Sequence, residues 1–132
     1  MLAVQRAAHA SVHALAAQLG ELGLTGSEIN ALANLADVKG RTVSGLAAAA
    51  GVRATTMTSV LDRLERRGLI SRAPVPRDRR AVLVRLTASG SQACRAISEA
   101  VARLERHALA ELDAAATGGL RAGLDALAEV AS

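Results

Sequence analysis

Apolar residues recur at three- and four-residue intervals along most of the chain, the spacing of one face of an α-helix. Val4, Ala8, Val12, Leu15 and Leu19 predict a first helix over residues 2–19, closed by Gly20 and Gly23. Thr25-Gly-Ser-Glu28 sets a hydroxyl three residues ahead of an acid, the pattern of a capping box. It predicts a second helix to about residue 37, with Ile29, Leu32 and Leu35 inward and Lys39-Gly40 as the break. Thr42 or Ser44 opens a short third helix over 43–50, stopped by Gly51. A fourth runs over 54–67 with Met57, Leu61 and Leu64 as its apolar face, and Gly68 ends it. The period then shortens. Residues 69–75, ending in Pro74-Val75-Pro76, and the Val- and Leu-rich residues 81–86 read as two strands. The polar segment Pro76-Arg77-Asp78-Arg79-Arg80 between them reads as a hairpin loop. From Thr87 a long helix is expected to about residue 112, with Cys94, Ile97, Val101, Leu104 and Ala108 on one face. Thr117-Gly118-Gly119 reads as a turn, and a last helix over 120–130 carries Leu120, Leu124 and Leu127. The element order is α-α-α-α-β-β-α-α.

Composition narrows what such a chain can do. Its 132 residues suit one domain or one compact subunit, and 51% apolar content excludes a disordered chain. With no Phe, Tyr or Trp, stacking of single-stranded bases on aromatic rings is excluded. Thirty-one residues are Ala, which bury little area each, so a core completed by dimerisation is expected. The net charge of +4 is unevenly spread: residues 41–85 hold ten basic and three acidic groups, net +7. A basic middle between faintly acidic flanks suggests a module for nucleic acid. Arg outnumbers Lys fifteen to one, which suits bidentate contacts to phosphate and guanine, although high-GC codon usage gives the same bias. The single Cys94 excludes an intramolecular disulfide. No apolar run reaches the roughly 18 residues of a membrane span, and His9 and His13 interrupt the Ala- and Leu-rich start. A cytoplasmic protein with no membrane partner is expected.

The chemistry concentrates in residues 43–87. Two short helices joined by Gly51-Val52-Arg53 form a helix-turn-helix, whose second helix can enter a major groove. That helix has an unusual outward face: Arg53, Thr55, Thr56, Thr58, Ser59 and Arg63. Thr and Ser are poor interior helix formers, but they donate to phosphates and bond base edges. The hairpin adds Arg77, Asp78, Arg79 and Arg80; a narrow minor groove attracts inserted Arg, and Asp78 is positioned to pin Arg80 through an ion pair. Arg41, Arg72 and Arg85 suit flanking phosphates or ordinary surface, Arg66-Arg67 the helix C-terminal dipole or a phosphate, and Asp62 and Glu65 neighbouring Arg side chains.

These motifs resemble the MarR family of bacterial transcription regulators. The resemblance rests on Leu46-Ala47, Gly51-Val52, the run from Thr56 to Ile70, and above all Asp78-x-Arg80 leading to Leu86-Thr87-x-x-Gly90. It implies a mainly α fold with a small β-hairpin wing: a winged helix-turn-helix lobe over 24–87, and an all-helical dimerisation region over 1–23 and 88–132. The family's base-reading positions fall chiefly on Thr56, Ser59 and Arg63, and its wing-tip arginine and partner acid on Arg80 and Asp78. The implied function is that of a homodimeric repressor on a pseudo-palindromic operator, relieved by a small-molecule effector.

Other readings stay open at this point. His9 and His13, four apart on one helical face, with His107 across the dimer, are candidate zinc ligands. Cys94 on an apolar face is a buried small residue or a redox sensor. An effector pocket would be lined by Leu, Val and Ala, with His9 or His13 as polar anchors. A helical protein-interaction module and a weakly specific architectural DNA binder share the same elements. No catalytic constellation, phosphate loop or cofactor motif is visible, so an enzyme is not expected.

Overall fold

The computed structural model describes residues 2–130; Met1, Ala131 and Ser132, at the ends of the expected dimerisation region, lie outside the described residues. The order is α1 (Leu2–Gln18), a 3-10 turn (Gly20–Leu22), α2 (Gly26–Ala33), β1 (Arg41–Thr42), α3 (Val43–Ala50), α4 (Ala54–Arg66), β2 (Ile70–Val75), β3 (Asp78–Leu86), α5 (Ala88–Ala108) and α6 (Ala114–Val130). The three strands form one antiparallel sheet in the order β1-β3-β2. This is the mainly α fold with a hairpin wing that the residue pattern predicts.

The core lies where α2, α3, α4 and the sheet meet. Leu32, Leu35, Leu46, Met57, Leu61, Leu64 and Val84 are its large, fully buried side chains. The first half of α5 closes it with Ala93, Cys94, Ile97 and Ala100. Outward from this lobe the packing thins. No residue of α6 is buried, and Leu120, Leu124 and Leu127 lie nearly half exposed along it, as do Val4 and Val12 of α1.

Four features differ from the sequence reading. Helix α2 ends at Ala33, because Asn34 turns its N–H onto Asn30 and Leu32 carbonyls while its side chain bonds back to Asn30. The two-residue β1 pairs Arg41 with Val84 and Thr42 with Leu83, too short to leave a periodic signal. The wing is tighter than the expected five-residue loop: β3 begins at Asp78, and only Pro76 and Arg77 form the turn. Pro74 faces Val82 whereas Val75 faces Asp78, so residues 79–81 bulge from the ladder. Finally, Thr117, Gly118 and Gly119 lie inside α6. The turn is at 109–113, where Asp113 Oδ1 accepts the Ala116 N–H at 2.7 Å and caps the helix. An Asp cap followed by three Ala residues outweighs the two glycines.

Candidate nucleic-acid interface

The helix-turn-helix is set by its caps. Thr42, rather than Ser44, opens α3 by accepting the Gly45 N–H at 3.1 Å. Gly51 closes it at φ 67°, a left-handed conformation that a side chain would strain. The Val52 N–H then returns to Ala47 O at 3.0 Å, and Arg53 takes extended backbone to start α4. Helix α4 buries Met57, Val60, Leu61 and Leu64, and the opposite side is left to solvent.

On that side Arg53, Thr55, Thr56, Thr58 and Ser59 are all exposed. The hydroxyls divide in two. Thr58 and Ser59 donate back to Ala54 O (2.9 Å) and Thr55 O (3.4 Å), which leaves them as acceptors toward a partner. Thr55 and Thr56 hydroxyls bond no other group among the described residues, so they present both donor and acceptor. Arg77, Asp78, Arg79 and Arg80 are exposed together on the wing.

Three of the predicted charged residues are already engaged. Arg63 Nε bonds Glu28 Oε1 at 3.0 Å, so it is tied into the lobe from the edge of the exposed face. Arg72 lies between β2 and α4, its Nη2 within 2.7 Å of Asp62 and 2.5 Å of Glu65. It acts as a strut from wing to α4 rather than as an open cation, and it provides the Arg partner expected for both acids. Arg41 Nε donates to Asn34 O at 2.9 Å. The expected Asp78–Arg80 ion pair is not formed. Asp78 Oδ1 instead accepts the Arg80 backbone N–H at 3.0 Å, because a short acid closes on the N–H two residues on more readily than on a long side chain. The acid therefore shapes the wing tip.

Sequence reasoning missed Glu28 as more than a cap. Its capping box with Thr25 forms as predicted, yet the residue is only 3% exposed, the one polar or charged side chain buried among the described residues. Burial on its own would raise its carboxyl, but the Thr25 N–H, the Arg63 hydrogen bond and the charges of Arg63 and Arg67 prevail and hold it below the ordinary carboxylate value. A lowered pKa stabilises the fold above the unfolded-state value, and that stability is lost as pH falls through the folded one. The parent is therefore expected to lose more melting temperature on acidification than Glu28→Gln does; parallel melting curves would remove Glu28 from the acid transition.

His9 and His13 meet edge to face at 4.5 Å on exposed α1, and His107 is exposed on α5. Among the described residues no three His, Cys, Asp or Glu side chains gather where they would hold a metal. Cys94 is buried, its Sγ donates to Leu32 O at 3.2 Å, and burial followed by the Asp37 charge pushes its thiol up, against the low pKa of a redox sensor. An open cleft beside it is lined by Ala36, Leu86 and Cys94 together with Asp37, Ser91, Arg95, Ser98 and Glu99, so charged groups join the expected apolar lining, and neither His9 nor His13 takes part. Among the described residues no helix is long and apolar enough to cross a membrane.

A helix-turn-helix whose second helix is followed directly by a β-hairpin is a winged helix-turn-helix. A sequence model of the MarR family matches residues 22–81, and the chain belongs to that family. A putative transcriptional regulatory protein for the hcr operon of Thauera aromatica is 35% identical over 98 residues, 74% of this chain; the chain spans 59% of that relative's length. A probable transcriptional regulator from Pseudomonas aeruginosa is 30% identical with a TM-score of 0.83, over 96% of this chain and 94% of that one. A cysteine-to-serine mutant of E. coli MarR complexed with operator DNA is 26% identical with a TM-score of 0.83, over 94% of this chain and 89% of that one.

Proposed function

We propose that this chain is a cytoplasmic, homodimeric transcriptional regulator, rather than an enzyme, that reads a pseudo-palindromic site in duplex DNA. One observation carries the reading: α4 buries one face and exposes Thr55, Thr56, Thr58 and Ser59 on the other, alongside an arginine-rich wing. Hydroxyls at those positions bond base edges, and Arg77, Arg79 and Arg80 suit the minor groove and its phosphates. The operator-bound MarR relative supports the same docking. Arg41, whose Nε is held by Asn34 O, turns its remaining guanidinium N–H groups to a flanking phosphate. The lobe over 24–87 binds DNA, and residues 1–23 and 88–132 pair two copies through the exposed apolar positions of α1 and α6. The two recognition helices then lie roughly 34 Å apart, one helical turn of DNA. Bound over a promoter, such a dimer represses. A small-molecule effector in the cleft between the end of α2 and α5 would relieve it by shifting lobe spacing.

The test is fluorescence anisotropy with DNA upstream of the protein's own gene, against a scrambled duplex, at about 150 mM salt. A specificity ratio above roughly 10³ is expected. Near-equal affinities would favour an architectural DNA binder, and no binding a protein-interaction module. Arg80→Ala is expected to weaken operator binding about tenfold without changing the melting temperature; unchanged affinity would remove the wing tip from recognition.

A further inference from the structure

The recognition helix is bolted at its C-terminal end to the joint between α1 and α2, through one buried acid. Both Glu28 oxygens are used. Oε1 accepts Arg63 Nε at 3.0 Å; Oε2 accepts the Thr25 N–H at 2.9 Å and faces Arg67 Nη1 at 3.6 Å. Arg67, the C-cap of α4, continues the chain of contacts. Its Nη1 donates to Gly23 O at 2.9 Å and its Nη2 to Leu22 O, on the 3-10 turn that leaves α1. The Arg63 and Arg67 side chains are about two-fifths exposed, but the Glu28 side chain between them is almost wholly enclosed.

Folding alone does not need this arrangement. Burying a charge is costly, and a well-packed apolar residue often stabilises as much. What an apolar residue cannot do is fix direction, because hydrophobic contact is non-directional whereas a carboxylate held by two guanidinium groups has one geometry. Here that geometry sets the roll and tilt of α4 against the end of α1.

We propose that Glu28 is a positioning residue for DNA reading. Through Arg63 and Arg67 it indexes the recognition helix to the α1 joint, and so sets how the hydroxyl face meets base edges without itself touching DNA. This inference rests on the DNA-binding reading and assigns Arg63 to alignment instead of direct base contact.

The parent protein is first used to select a duplex from a random-sequence library. Glu28→Gln, Arg63→Gln and Arg67→Gln are then compared with it on that duplex and on a scrambled one. Glutamine at 28 can still accept the Thr25 N–H, so the helix cap is kept. Glu28→Gln is expected to lower affinity for the selected duplex about tenfold, with scrambled-duplex affinity and the salt slope unchanged. Loss should spread over the whole site, and the Glu28→Gln/Arg63→Gln double variant should lose no more than the larger single loss. A merely structural role would lower melting temperature and leave sequence preference intact, which would overturn the proposal. So would multiplying losses, with Arg63→Gln relaxed at one base pair only, because Arg63 would then read that base itself. If Glu28→Gln fails to fold, Arg63→Gln and Arg67→Gln must each reproduce the loss of preference, and parent-like preference in either overturns the proposal. A parent that selects no duplex would instead bring down the DNA-binding reading, and this one with it.

Discussion

Gly90→Ala is expected to cost the fold about 3 kcal/mol or more, from the loss of space at one atom. A Cβ at position 90 would lie 1.9 Å from Leu69 O, 2.9 Å from Leu69 C and 3.2 Å from Leu86 Cδ2. The first distance is impossible, so backbone must move. Yet the Leu69 backbone is held at both ends: its N–H bonds Leu64 O at 3.0 Å, and its carbonyl accepts the Thr87 N–H at 3.1 Å. Thr87 adds a second tie, donating its hydroxyl to Gly68 O at 2.6 Å while capping α5 through the Gly90 N–H at 3.0 Å. Overpacking of a tight site costs about 1–3 kcal/mol, sometimes more, and a broken hydrogen bond about 1 kcal/mol further. Against a total stability of about 5–15 kcal/mol this lowers the melting temperature by roughly 10 °C or more. Gly118→Ala is the control. No atom lies within 4 Å of its added Cβ, and it sits mid-helix on the side of α6 away from Leu120 and Leu124, so a gain of about 0.5–1 kcal/mol is expected. Thermal melts followed by circular dichroism decide both. A Gly90→Ala melt within a degree or two of the parent would mean the junction of α4, wing and α5 is looser than its contacts indicate.

That junction also shows what was legible in the sequence. Leu86-Thr87-x-x-Gly90 is readable only through the family resemblance, but Thr87 is readable as a helix start from its hydroxyl after a strand end. The same holds for Thr25 with Glu28, for Gly51, and for the apolar stripe of α4. Each is decided by residues within two helical turns of one another. Contacts across long sequence distances were not legible. Glu28 reaches Arg63 thirty-five residues on, and no local spacing distinguishes a capping acid at the surface from one enclosed by two guanidinium groups. Arg63 itself borders the buried stripe of Val60 and Leu64, so the helical period alone left its direction undecided. Arg72 read as a free cation for the same reason, its two acids lying on a neighbouring element. Strand β1 escaped because two residues carry no alternation. The α5–α6 turn is hidden because Gly118 and Gly119 carry the local mark of a break, whereas the Asp113 cap and the three alanines after it start the helix ahead of them.

Leu124→Glu is expected to separate the proposed dimer into monomers and to abolish operator binding with it. Leu120, Leu124 and Leu127 follow one another at four and three residues, so they share a face of α6, and each is 47–49% exposed in the single chain. A helix with no buried residue has little reason to hold its place on its own subunit. In the proposed dimer a second copy covers this stripe and the exposed Val4 and Val12 of α1, and supplies most of the helix's stability. Burying a Leu is worth about 1.5–3 kcal/mol, and a carboxylate in its place would have to leave water against the apolar stripe of Leu120 and Leu127. By two-fold symmetry the change enters twice, a combined loss of about 6 kcal/mol, which raises the dimer dissociation constant roughly ten-thousandfold. Sedimentation should therefore show a monomer at concentrations where the parent is a dimer. Because the helix-turn-helix core is built from residues remote from α6, the Leu124→Glu lobe should keep its weak, salt-sensitive affinity for one half-site while losing the gain from binding two. A Leu124→Glu protein that stays dimeric and binds the full operator would place the pairing surface elsewhere. One that is monomeric yet binds the full operator as tightly as the parent would mean that a single lobe supplies the recognition.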